Sequence, residues 1–255
     1  MIRRYQIAGI NVEINSVYSA IHELCCEYAS EEEPEIYIQT NIEDIQRNRK
    51  KAQEAWEKAG RQEKHFEDDY VETFTVYRKL AEVLPNWNTF MLHASVVSVD
   101  NFCYAFTAQS GTGKSTHTAL WRSLLKSRAI MVNDDKPLIR VEEDGSAIAF
   151  GTPWNGKHGL GNNIAVPLRA ICILERSETN RIDLIDKQEA YPMLLQQVCR
   201  PLDKERLIRL LSLIDRMNVQ FYRMGCNMDI SAAKIAYKAM SGDCLNTGNA
   251  EDLNE

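Results

Sequence analysis

The sequence predicts an α/β protein with a mixed sheet and a small α+β region at its N-terminus. Three observations lead there. Phe106–Trp121 reads FTAQSGTGKSTHTALW, a glycine-rich turn set between an apolar aromatic run and a helical one. Beyond it, short strand-like apolar runs mix with segments whose apolar residues recur every three or four positions. Before it, residues 1–85 carry strand and helix patterns but no chemistry-bearing motif, and Pro85 closes them off. The division expected is therefore 1–85, 86–242 and a polar, disordered tail over 243–255.

Taken in order, residues 5–14 and 35–39 alternate apolar and polar and read as two strands around a helical piece at 17–28. Asn41 is placed to cap a charged helix running to about Glu57. Its basic run Arg47–Lys51 is followed at once by Glu54, Glu57 and Glu63, which makes a solvated face the better reading than an anion site. Phe66, Tyr70, Phe74, Tyr77, Leu80 and Leu84 mark a second helix. Phe90–Val99 reads as a strand, Asp100-Asn101 as its turn, and Phe102–Phe106 as the strand feeding the glycine-rich loop. This hairpin brings His93 to the depth of the loop. Thr116–Lys126 is helical, residues 129–132 a strand, and residues 137–150 a hairpin. After the long loop Gly151–Asn163 come a strand at 169–175, helices at 187–199 and 203–217, a strand at 219–223 and a helix at 229–240.

The chemistry sits in few places. Ala108–Ser115 (AQSGTGKS) fits the phosphate-binding loop pattern, with Ala where the opening Gly usually stands. Gly111 and Gly113 let the chain turn so that successive N–H groups converge on one phosphate cluster. Lys114 offers a positive charge to the β- and γ-phosphates, and the Ser115 hydroxyl completes a magnesium shell. The helix start at Lys114 turns its positive dipole end to the same anion. Gln109, Ser110, Thr112 and Thr116 complete the expected cradle. Asp134 and Asp135 follow a strand about 20 residues on, where α/β proteins gather ligand groups. Phosphoryl transfer needs an acid to hold the metal and, for a hydroxyl acceptor, a base. His93 is a candidate beside them. The loop Gly151–Asn163 holds four glycines, and its Lys157 and His158 suit a phosphate or substrate contact.

Composition narrows the rest. A formal charge of −6 over 255 residues argues against a general nucleic-acid binder. No run approaches a membrane span and no signal-peptide core follows Met1, so a cytoplasmic protein without membrane or nucleic-acid partners is expected. Seven cysteines without a CxxC pair predict reduced thiols.

The segments LHASVVSVD, AQSGTGKST, MVNDDKPLI and KHGLG, in this order, resemble the catalytic domain of HPr kinase/phosphorylase. The loop and the paired Asp are also similar to ATP-dependent phosphoenolpyruvate carboxykinase. The resemblance covers residues 90–175, and the chain also looks like HPr-kinase-related proteins found beside modified-peptide biosynthesis. It implies ATP and magnesium as cofactors, with Ser110–Thr116 as cradle and Ser115 as metal ligand. It makes Asp134 the general base, Asp135 a metal-side carboxylate and His93 a neighbour of the base. Two places depart: where the family carries a metal-binding Glu and an Arg, this chain has Gly156 and His158. The expected function is a kinase transferring the γ-phosphoryl group to a hydroxyl of a peptide, a protein or a small molecule. A carboxykinase-like reaction and a non-catalytic nucleotide sensor stay open as alternatives, as does a homo-oligomer.

Overall fold

In the computed structural model the described residues are 1–58, 60, 66–156 and 158–242. The tail 243–255 and Lys157 lie outside them. The N-terminal region begins with β1 (Ile2–Ile7) and β2 (Ile10–Asn15), an antiparallel pair. The sequence shows one alternating run there because the alternation continues through the turn. Ala8 and Gly9, with φ of 54° and 69°, fold it back on itself. β3 (Ile36–Gln39) adds to β2 in parallel. The expected helix at 17–28 is shorter, a five-residue α1 (Ala20–Leu24) and one 3₁₀ turn. α2 (Ile42–Lys58) and α3 (Asp68–Val83) follow as the periodicity predicts, and Asn41 caps the first by accepting from Asp44 N at 2.9 Å.

The main sheet has nine strands and is mixed and curled. Its order runs β4 (Thr89–Met91), β8 (Leu138–Val141), β9 (Ala147–Phe150), β10 (Ala165–Arg176), β6 (Phe102–Thr107), β5 (Ala94–Val99) and β7 (Ala129–Asn133). Strand β12 (Gln220–Cys226) lies parallel to the far half of β10, and β11 (Arg181–Ile185) pairs with β12. The expected strand 90–99 is divided at Leu92-His93, so that β4 pairs with β8 while β5 pairs with β6 and β7.

Side-chain alternation along the central strands feeds two cores. Cys103, Ala105, Ile171 and Ile173 face α5 (Lys187–Leu195) and α6 (Lys204–Arg216). Tyr104, Phe106, Ala170 and Cys172 face α4 (Lys114–Leu125) and α7 (Ile230–Ser241). Helix α4 is fastened by Trp121, fully buried with its ring 5.1 to 5.5 Å from those of Tyr104, Phe106 and Tyr237. A third core joins the two sheets: Tyr5, Val12 and Ile38 pack in one cluster with Leu80, Met91, Leu138 and Trp154. No helix among the described residues is long and apolar enough to cross a membrane.

Candidate active site

The loop after β6 turns at the carboxyl end of a central strand and enters α4 at Lys114. Gly113 takes φ +125° and Gly111 +84°, which a residue with a Cβ adopts only under strain. Arg176, at the end of β10, donates to Gly111 O at 2.5 Å and braces the loop from the neighbouring parallel strand. Nothing in the sequence marked Arg176 except its place at a strand's carboxyl end.

A cleft of about 930 Å³ opens over the loop. Ser110, Gly111, Gly113, Lys114, Ser115 and Thr116 line it together with His93, Asp134, Asp135, Gly156 and His158. The structure thus gathers residues from four separate stretches of chain. Gln109 and Thr112 line a neighbouring hollow instead. Lys114 is buried, with Nζ 3.3 Å from Ala108 O. Burial pulls its pKa below the ordinary value, and the charges of Asp135 and Asp134 oppose that pull.

The acid pair owes its position to Asn133. Its fully buried side chain accepts from the backbone N of Asp135 and of Lys136, at 2.9 and 2.6 Å. Its Nδ2 donates across to Thr152 Oγ1 at 3.1 Å, tying the turn to the glycine-rich loop. Asp134, 3% exposed, accepts from Ser95 Oγ at Oδ1 over 2.7 Å. Ser95 in turn meets Thr118 of α4 at 2.8 Å, so strand β5 and the phosphate-loop helix both steady this carboxylate. Oδ2 takes no hydrogen bond from the described residues and faces Gly156, where an added Cβ would stand 2.9 Å away. A larger residue at 156 would cover that oxygen.

His93 pairs with Asp135, and no hydrogen bond among the described residues joins it to Asp134, which differs from the expected pairing. Its Nε2 is 3.4 Å from Asp135 Oδ1, and its Nδ1 is 3.1 Å from Gln197 Oε1. The reason is the chain break at Leu92-His93, where His93 N donates to Gln197 O and turns the ring to the outer acid. Lys136 Nζ pairs with the other oxygen of Asp135. Burial alone would push the Asp135 carboxyl up; the hydrogen bond from His93 and the charge of Lys136 outweigh it and bring the pKa down to about 2. Arg122, two turns along α4 from Lys114, also lines the cleft, and its buried Nε has no partner among the described residues. Sequence reading passed over it because an arginine in the last helical turn is an ordinary dipole partner.

A carboxylate, a hydroxyl and room for phosphate oxygens are hard oxygen donors of the kind magnesium takes, and it commonly keeps waters in the remaining positions. Ser115 and Asp135 line the same cleft and together fit such an ion, and a nucleotide phosphate fits the loop's N–H groups.

No family model matches this sequence, and no curated protein matches it. Among solved structures the chain matches the HPr(Ser) kinase/phosphatase from Coxiella burnetii, with a TM-score of 0.36 and 12% identity. The match covers 60% of this chain and 97% of that one.

Proposed function

We propose that the cleft transfers the γ-phosphoryl group of ATP, with magnesium, to a hydroxyl. The observation that carries this reading is a carboxylate with one oxygen held and the other without a hydrogen bond from the described residues, lining the same cleft as the Lys114 loop. A site that only bound nucleotide would have no use for such a group. Asp134 Oδ2 takes the proton of the acceptor hydroxyl as its oxygen attacks the γ-phosphorus; the bond from that phosphorus to the β-bridging oxygen breaks, and ADP leaves. Lys114 and the loop amides offset the charge that builds on the moving group. Asp135, kept ionised by His93 and Lys136, serves with Ser115 as the metal-side ligand pair. Magnesium, if held by Ser115 and Asp135, would neutralise part of the charge on the phosphates.

Incubation with γ-labelled ATP, magnesium and a panel of serine-bearing peptides and small alcohols tests the reading. Label moves to at least one hydroxyl acceptor if it holds. Tight ATP binding with no transfer to any acceptor would favour the nucleotide sensor instead.

A further inference from the structure

Beside the phosphate loop lies a second hollow that the transfer chemistry does not use. It has a volume of about 460 Å³ and lies between α2 and α3, and Ser110 lines both it and the main cleft. Four aromatic residues form its wall in a ladder. Trp56 meets Phe66 edge-on at 5.8 Å, Phe66 stacks on Tyr70 at 6.3 Å, and Tyr70 meets Phe74 at 4.9 Å. Tyr70 is 47% exposed, a large aromatic surface left to solvent on a helix whose other face is core. At its far end the hollow continues into an open groove of about 700 Å³ that shares Asn48, Lys51 and Arg78.

Charge along this groove is one-sided. Lys51 and Arg78 are exposed and pair with no carboxylate among the described residues. The acids nearby are already engaged: Asp44 holds Lys79 at 2.6 Å, and Glu82 accepts from the backbone N of Leu202 and Asp203. The basic run of α2, which reads in one dimension as a solvated face, therefore borders a groove that opens onto the phosphate loop. From Tyr70 to Val83 the groove follows thirteen steps of α3, or about 20 Å. That is the length of about six residues of extended chain and more than a small alcohol fills.

The hollow lies at the acid-pair end of the cleft. Lys136, which pairs with Asp135, sits with Nζ 5.2 and 5.5 Å from the ring centres of Phe74 and Tyr77. Burial raises the Tyr70 hydroxyl above its ordinary pKa, and the charge of Asp135 adds to the rise. Along α4 the cleft extends instead to Ala119 and Arg122, which leaves that end for the nucleoside. We propose that the acceptor is an acidic peptide segment lying along the α2–α3 groove, with an aromatic or large apolar side chain in the Trp56–Phe74 hollow a few residues from the phosphorylated hydroxyl. This rests on the kinase reading above.

An oriented library of acetylated decapeptides, each with one fixed serine, tests it with γ-labelled ATP. The wild-type protein selects Asp or Glu and one aromatic or large apolar residue at set distances from the serine. The double charge reversal Lys51→Glu with Arg78→Glu lowers use of the best acidic peptide about tenfold and turns selection toward Lys and Arg. Phe74→Ala removes the aromatic preference and keeps the acidic one. Transfer without positional selection, or selection unchanged in the charge-reversed protein, overturns the proposal and leaves the kinase reading intact. Transfer to small alcohols but to no peptide does the same. No transfer to any acceptor removes both.

Discussion

At the residue scale, Gly156 and His117 show how close packing sets chemistry. Gly156 stands where the resembled family carries a Glu, and the structure gives the local reason that glycine fits: a Cβ would press on Asp134 Oδ2 at 2.9 Å. Gly156→Ala is expected to lower transfer about 10- to 100-fold through the displaced carboxylate, which steady-state kinetics would read. Its unfolding midpoint should stay close to that of the wild type. His117 is 2% exposed, accepts from Trp121 Nε1 at 3.2 Å, and packs 4.6 Å from Phe106. Burial lowers its pKa from 6.5 to about 4. Between those values the unfolded chain binds a proton that the folded protein refuses, so stability rises with pH across that window and falls on acidification. The His117 share is on the order of 3 kcal/mol. His22, buried between Tyr5 and Ser16, adds a change of the same sign. Asp135 acts lower down: its stabilisation is full above pH 3.8 and is lost as pH falls toward 2. Chemical denaturation of His117→Gln, which keeps an acceptor for Trp121, should show a shallower loss between pH 6.5 and 4. An unchanged slope would assign the loss elsewhere.

At the element scale, the phosphate loop is held through the helix it feeds. Helix α4 docks through Trp121 into the Tyr104–Phe106–Tyr237 cluster and through Thr118 to Ser95 and so to Asp134. Trp121→Ala should cost about 3–5 kcal/mol, measured by denaturant unfolding, because a large ring leaves a cavity walled by other rings. Periodicity made α2, α3, α4, α6 and α7 legible, since each shows one apolar face with a cap or breaker at its end. It misplaced what tertiary pairing decides. The turn at Ala8-Gly9 hid inside an unbroken alternation, and β11 (Arg181–Ile185) is polar enough on its exposed positions to read as loop. The break at Leu92-His93 was equally silent, because only the register to β8 on one side and β6 on the other creates it. With that break went the partner of His93.

Over the whole molecule, the cleft draws on four stretches that the fold brings together around one curled sheet. The loop and the acid pair were readable because they are local motifs with fixed spacing. Arg176, Ser95 and Gln197 were not, because each matters only through a neighbour distant in sequence. The N-terminal region is bound to the same structure by a shared core and by Arg140, whose guanidinium donates to Ala8 O. Trp154 of the glycine-rich loop donates to Thr73 O of α3 at 3.0 Å, so the wall of the cleft is anchored on a helix of that region. Removal of residues 1–85 is therefore expected to expose the third core and abolish soluble expression of the remainder, as size-exclusion chromatography would show.

The central claim is that Asp134 acts on the acceptor and not on the nucleotide. Its most direct test is Asp134→Asn, a change that keeps the Ser95 contact available while removing the base. The transfer rate and the ATP dissociation constant are measured on the same protein. The account predicts a loss of kcat of about 1000-fold or more with a dissociation constant within about threefold of wild type. Full activity in Asp134→Asn, or binding lost in step with the rate, would contradict it.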